Sequence, residues 1–123
     1  MAVLKEPFGT TRDGRDVEKY ILRCGALEAE VLTYGATLRA LRAPDRNLEP
    51  VDVVLGFDDL TGYEENTCYI GATIGRYANR IDHAKCLIDG QSLHLEANEG
   101  VSQLHGGPAG FNRRVFSAKQ AGE

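Results

Sequence analysis

Cysteine is scarce in this sequence and does not occur in pairs. The three cysteines, Cys24, Cys68 and Cys86, are odd in number, far apart and outside any Cys-x-x-Cys motif. This pattern argues against a disulfide framework and against a thiolate metal site, because both need matched sets of cysteines. We therefore expect free thiols in a reducing compartment.

The sequence also lacks an excess of positive charge and any long apolar run. It has 14 Lys and Arg residues against 18 Asp and Glu residues, which gives a formal net charge of -4. Without a basic stripe to neutralise phosphates, nucleic acid is not an expected partner. No stretch approaches the roughly 20 apolar residues that span a bilayer, and residues 1–5 do not begin a signal peptide. We expect a cytoplasmic protein that does not enter the membrane.

The composition is that of one ordinary globular unit, with 42% hydrophobic residues in a chain of 123. No repeat, low-complexity tract or linker divides the chain, so residues 1–123 are expected to belong to a single domain. Short β-rich segments alternate with turn residues, and the longer helical segments that a βαβ unit requires are missing. The sequence therefore predicts an all-β fold with antiparallel strands.

Alternating apolar residues between turn signals predict two early strands. These cover residues 17–22 and 27–31, with Gly25 as the turn residue between them. In the second strand, apolar residues alternate with Glu28 and Glu30. We expect the apolar side chains to face a buried layer and both glutamates to face solvent.

A β-hairpin is predicted at residues 85–95. Two β-rich runs are joined there by Asp89-Gly90, a pair suited to the positive φ angles of a type I′ turn. The remaining predictions are a strand at 51–55, a helical turn at 58–65 that Gly62 limits, and a segment at 38–41 that fits helix and strand equally.

Three histidines are the first candidate site. His83, His94 and His105 recur at intervals of eleven residues, and three imidazoles are a common ligand set for catalytic zinc. The interval does not place two ligands on one helix face, and histidines of this kind are usually surface or structural residues. A metal-dependent hydrolase is therefore the weakest of the functional hypotheses.

The glycine-rich segment 71–80 is the second candidate. It contains neither Gly-x-x-x-x-Gly-Lys-Ser/Thr nor Gly-x-Gly-x-x-Gly, so it does not predict a phosphate or dinucleotide site. Gly71 and Gly75 would then serve close backbone packing, and Arg76 and Arg80 would be surface charges.

The pair Asn79-Arg80 offers a second interpretation of the same segment. An amide combines donor and acceptor, and a guanidinium presents five donors in a fixed fork, which suits both groups to vicinal hydroxyls. Later in the chain, His105 precedes two glycines, so a ligand ring could approach the backbone beside a titratable imidazole. The alternative for His105 is an ordinary loop histidine.

Several short motifs, taken in order, resemble the N-terminal part of the aldose 1-epimerase (galactose mutarotase) family. They are Phe8-Gly9, Tyr34-Gly35-Ala36-Thr37, Asp52-Val53-Val54-Leu55-Gly56-Phe57, Gly62-Tyr63, Gly71-Ala72-Thr73-Ile74-Gly75-Arg76 with Ala78-Asn79-Arg80-Ile81, and Leu104-His105-Gly106-Gly107 with Gly110-Phe111. Two positions depart from the family pattern, where Asn112 replaces a usual aspartate and Phe116 a usual tryptophan.

The resemblance implies a galactose mutarotase-like antiparallel β-sandwich, of which only the N-terminal part is present. It also implies that Asn79 and Arg80 bind an aldohexose such as galactose or glucose. His105 would hydrogen-bond the sugar near its ring and support catalysis. The family uses neither metal nor cofactor.

The acid and the base of the reaction are not expected within this chain. The resemblance implies that they are a second histidine and a glutamate, both downstream of the segment present here, and Glu123 matches no family motif. We therefore expect the isolated chain to be inactive as an epimerase. The missing C-terminal part or a second copy are its expected partners, and a non-catalytic carbohydrate-binding or interaction protein is the alternative function.

Overall fold

A five-stranded antiparallel sheet dominates the computed structural model, which describes residues 2–121. Each strand of this sheet pairs with the next one along the chain. The strands are β1 (Ala2–Thr10), β2 (Asp16–Cys24), β3 (Leu27–Leu32), β4 (Thr37–Pro44) and β5 (Pro50–Asp52). Within the described residues, β1 and β5 form the two outer edges of the sheet.

The second half of the chain forms smaller elements. They are the helix α1 (Leu60–Glu65), the strands β6 (Arg80–Ile81), β7 (Lys85–Ile88), β8 (Gln91–His94) and β9 (Gln103–Leu104), and two 3₁₀ turns at Asp82–Ala84 and Phe111–Arg113. β6 pairs with β9 and β7 with β8, both antiparallel. The prediction of an all-β fold with antiparallel sheets is confirmed. No helix among the described residues is long and apolar enough to cross a bilayer.

The hairpin prediction is confirmed in its position and in its turn. Ile88 pairs with Gln91, so the loop contains only the two residues Asp89 and Gly90. Their φ angles are 49° and 76°, as a type I′ turn requires.

The other local predictions differ in outcome. The segment 38–41 lies within β4, which decides the ambiguity in favour of strand. The strand predicted at 51–55 is wrong beyond Asp52, where β5 ends. The helical turn predicted at 58–65 begins at Leu60, because the side chain of Asp59 accepts a hydrogen bond from the Gly62 amide at 2.9 Å and caps the helix.

The core lies between α1 and one end of the five-stranded sheet. Its buried members come from strands, helix and the segment after β3, and they are Val17, Leu32, Tyr34, Leu60 and Tyr63. The ring of Phe57 packs edge-on against Tyr63, with 5.1 Å between centroids. The Tyr63 hydroxyl also accepts a hydrogen bond from the Phe57 amide at 3.0 Å, which fixes α1 against the chain that precedes it.

The expectation that Glu30 faces solvent is wrong. Its side chain is only 6% exposed and lies among cations from neighbouring strands. It accepts hydrogen bonds from Arg39 and, at 2.8 Å, from Arg42. The pairing of β3 with β4 shifts between Glu30 and Val31, so that Glu30 pairs with Ala40 and Val31 with Leu38. Arg39 is the extra residue of this bulge and reaches Glu30.

The apolar residues of β3 that alternate with the two glutamates lie on the opposite face of the sheet. Val31 is half-buried and lines a groove together with Tyr20 and Leu22 of β2. Residues 116–121 run along this groove, and the Phe116 amide donates to the Thr33 carbonyl at 2.8 Å. The alternation in β3 thus distinguishes the two faces correctly, but the glutamate face is the more deeply buried of the two.

Candidate functional site

Asn79 and His105, which are 26 positions apart, form a reciprocal pair. The Asn79 amide donates to Nδ1 of His105 at 2.9 Å, and the His105 amide donates to the Asn79 carbonyl at 3.0 Å. Because Nδ1 accepts a hydrogen bond, the proton of the neutral imidazole lies on Nε2. Within residues 2–121 no side chain or backbone group is hydrogen-bonded to Nε2, so this N–H is available to a ligand.

Both residues of this pair adopt a left-handed backbone conformation. The φ angle is 65° at Asn79 and 52° at His105. Asparagine and histidine are among the non-glycine residues that tolerate this region best. The conformation turns each backbone so that its polar groups meet those of the other residue.

A close contact between two backbones holds the His105 loop in place. Gly106 has a φ of 89°, and a Cβ atom on it would lie 1.9 Å from the carbonyl oxygen of Gly75. The amide of Phe111 donates to the same carbonyl at 3.2 Å. Gly71 within the segment 71–80 also allows close backbone approach, since a Cβ atom on it would lie 2.3 Å from the Leu38 carbonyl oxygen, as one of the two interpretations of this segment predicts.

Arg80 follows Asn79 directly and forms an ion pair with Glu99. Nη2 of Arg80 donates to one carboxylate oxygen at 2.7 Å, and Nε donates to the other. The hydrogen bond from Arg80 is the largest cause that lowers the pKa of Glu99 below 4.5, and the charge of Arg80 acts in the same direction. Nη1 of Arg80 also donates to the Asn79 side chain at 3.3 Å.

Two further residues, which the sequence does not predict, hold the His105 loop. The Asn98 side chain accepts from the Leu104 amide at 2.6 Å and donates to the Leu104 carbonyl at 3.0 Å. The Tyr69 ring packs edge-on against the His105 imidazole, with 4.8 Å between centroids. The only sequence signal was the turn tendency of Asn98-Glu99-Gly100, which does not reveal these partners.

The other two histidines lie on separate elements. His83 is in a 3₁₀ turn, where its exposed side chain contacts Asp82 at 2.9 Å. His94 is an exposed residue at the end of β8. Among residues 2–121, no group of three or more His, Cys, Asp or Glu side chains is placed to hold a metal ion.

The two positions that depart from the family pattern lie after the His105 loop. Oδ1 of Asn112 is buried and has no hydrogen-bond partner within residues 2–121. The ring of Phe116 packs edge-on against Phe111, with 5.7 Å between centroids. Both departures therefore affect local packing beside the loop, and neither contributes a group to the pair formed by Asn79 and His105.

Known proteins with similar sequences are mutarotases and aldose epimerases. Galactose mutarotase of Homo sapiens is 40% identical over 119 residues, which are 96% of this chain and 35% of that protein. Aldose 1-epimerase of Escherichia coli strain K12 is 35% identical over 113 residues, which are 91% of this chain and 33% of that protein. The chain thus spans about a third of the length of these curated relatives.

Similar folds are also found among solved structures. The GalM/aldose epimerase homologue from C. elegans has a TM-score of 0.72 and 41% identity, over 77% of this chain and 30% of that one. The galactose 1-epimerase from Lactobacillus acidophilus has a TM-score of 0.76 over 93% of this chain and 32% of that one, and at 23% identity it supports the fold alone. The sequence profile of the family described as aldose 1-epimerase matches residues 18–123. On these grounds the chain belongs to the aldose 1-epimerase family.

Proposed function

We propose that this chain supplies the hydroxyl-binding part of an aldose 1-epimerase site. Asn79 and Arg80 bind hydroxyls of an aldohexose such as galactose or glucose, and His105 donates from Nε2 to an oxygen near the sugar ring. The observation that supports this proposal best is the reciprocal pair of Asn79 and His105, because it leaves the Nε2 proton for a ligand beside the Arg80 guanidinium.

Interconversion of anomers proceeds by ring opening. A base takes the proton of the anomeric hydroxyl and an acid protonates the ring oxygen, after which the bond between C1 and C2 rotates and the ring closes. In our proposal the residues of this chain bind and polarise the sugar, and the acid and base are groups that lie outside it. We propose a cytoplasmic protein, which the free cysteines Cys24, Cys68 and Cys86 support.

Sugar binding can be tested with His105→Asn. An asparagine oxygen can replace Nδ1 as the acceptor for the Asn79 amide, and asparagine tolerates the φ of 52° at this position. The variant loses the donor at Nε2 and the ring contact with Tyr69, so we expect about threefold to tenfold weaker binding of D-galactose with the fold intact. Titration of the ¹⁵N-labelled chain, followed by NMR, measures the affinity.

His83→Asn is the matched control, because it makes the same change at an exposed histidine on a separate element. It should leave galactose binding unchanged. Equal affinity of the His105→Asn variant and the wild type would contradict the role of Nε2. Polarimetry on α-D-galactose tests whether the acid and base lie outside this chain. Measurable acceleration of mutarotation by the purified chain would show that they are present in it.

We also propose that the apolar face of the five-stranded sheet packs against further β-structure, either the remainder of a mutarotase-like sandwich or a second copy. This face is lined by Tyr20, Leu22 and Val31. Among the described residues, residues 116–121 cover part of it. The outer edges at β1 and β5 add unpaired backbone groups within the described chain.

This proposal predicts that the purified chain associates at concentrations on the order of 100 μM. Leu22→Lys places a charge in the apolar groove and should shift the chain towards monomer in light scattering after size exclusion. Leu48→Lys, at a residue that is 82% exposed in the turn before β5, is the control and should not change the mass. A monomeric wild-type chain would contradict self-association.

A further inference from the structure

The geometry points to Glu99 as a positioning residue that sets how Arg80 presents its guanidinium to the sugar. Glu99 is not among the residues that the sequence analysis singled out for the site. The inference rests on the proposed sugar-binding function, because it concerns the orientation of a sugar-binding group.

The contacts of Arg80 decide which edge of its guanidinium is free. Glu99 accepts from Nε and Nη2 and therefore occupies the side edge of the fork. Nη1 donates one hydrogen to the Asn79 side chain at 3.3 Å. A guanidinium has five N–H donors, so one N–H on each terminal nitrogen remains after the hydrogen bonds within residues 2–121. The donor that remains on Nη2 points to the end edge of the fork, and together the two remaining donors suit vicinal hydroxyls.

Glu99 is itself held at a defined place. Its amide and carbonyl form a reciprocal bridge with Ser102, with N–O distances of 3.1 and 2.9 Å. The preceding Asn98 side chain binds both backbone groups of Leu104, which pairs with Arg80 between β9 and β6. The same short loop therefore positions Glu99 against Arg80 and His105 against Asn79.

Exposure argues for positioning rather than for stability. The Arg80 and Glu99 side chains are 57% and 40% exposed, and ion pairs at that exposure contribute little to folding. A two-point contact nevertheless fixes the plane of the guanidinium, because both hydrogen bonds require one orientation. Without Glu99, the long Arg80 side chain would have to be ordered by the sugar itself, which weakens binding.

The test uses the 123-residue chain and the substitution Glu99→Gln. This variant keeps the shape of the side chain and removes its charge. We expect it to weaken D-galactose binding about threefold to fivefold in NMR titrations while the thermal midpoint of unfolding stays the same. Glu96→Gln removes the same charge from an exposed residue earlier in this loop and should leave the affinity unchanged.

A double-mutant cycle separates positioning from any other effect of Glu99. If Glu99 acts through the guanidinium, Glu99→Gln should have no effect on affinity once Arg80→Ala is present. Wild-type affinity in the Glu99→Gln variant, or an undiminished effect of that change beside Arg80→Ala, would overturn the inference and leave the proposed function standing. An absence of galactose-induced shifts in the wild-type chain would overturn the proposed function and the inference together.

Discussion

Glu30→Gln is expected to lower the free energy of unfolding by roughly 2–3 kcal/mol, because it removes the charge that pairs with two arginines in a partly buried cluster. The Glu30 and Arg39 side chains are 6% and 17% exposed, so water would not replace the lost partner fully. Nε of Arg39 is already buried without a partner in the described part of the chain. Chemical denaturation followed by circular dichroism measures the change.

The same cluster predicts how stability depends on pH. Burial by itself would raise the pKa of Glu30, but hydrogen bonds from Arg42 and Arg39, with their charges and that of Lys19, leave the pKa below 4.5. A carboxylate whose pKa is lower in the folded state contributes its full stability above 4.5 and loses it as the pH falls through the folded value. The wild-type chain should therefore lose more stability below pH 4.5 than the Glu30→Gln variant.

Glu6→Gln is the control for this cluster. Glu6 lies at the edge of the cluster, where its carboxylate is 3.0 Å from Nζ of Lys19, and its side chain is 51% exposed. An exposed pair contributes about 1 kcal/mol at most, so this variant should unfold close to the wild type. Equal stability of the Glu30→Gln and Glu6→Gln variants would show that the buried carboxylate has no special role.

The wrong prediction for Glu30 shows which features of this fold can be predicted from the sequence. Local signals predicted the hairpin correctly, because its strands and its Asp89-Gly90 turn are adjacent in the chain. The burial of Glu30 depends on Arg39 and Arg42 in the next strand and on a shift in the strand pairing. An alternation of apolar residues with glutamates does not indicate such a shift, so the prediction of which face of β3 is more deeply buried was wrong.

The site shows the same division between local and distant information. Asn79 and Arg80 could be selected because their chemistry is visible in two neighbouring letters, and His105 because two glycines follow it. The structure brings these three residues together, and their roles towards a sugar stay predictions. Glu99 could not be selected, since its importance comes from a contact with a residue 19 positions earlier.

Gly106→Ala should disrupt the candidate site more than any other small substitution in the loop. The added Cβ atom would meet the Gly75 carbonyl oxygen at 1.9 Å, and backbone on both sides prevents a simple side-chain adjustment. We expect the free energy of unfolding to fall by roughly 2–4 kcal/mol and galactose binding to weaken about tenfold or more, because the loop that presents His105 must move. The NMR signal of the Asn79 amide, which donates to His105, should shift strongly.

Gly100→Ala is the control that distinguishes the steric clash expected at Gly106 from the strain of a positive φ angle. Gly100 also has a positive φ, 57°, but a Cβ atom there would have no neighbour within 4 Å. Alanine should therefore cost only about 1 kcal/mol of backbone strain at this position and leave the Asn79 signal and the galactose affinity unchanged. If both alanine variants had the same small effect, the close approach of Gly106 to Gly75 would not be what holds His105 in place. A large effect confined to Gly106→Ala would show that the packing of one backbone against another sets the position of the imidazole.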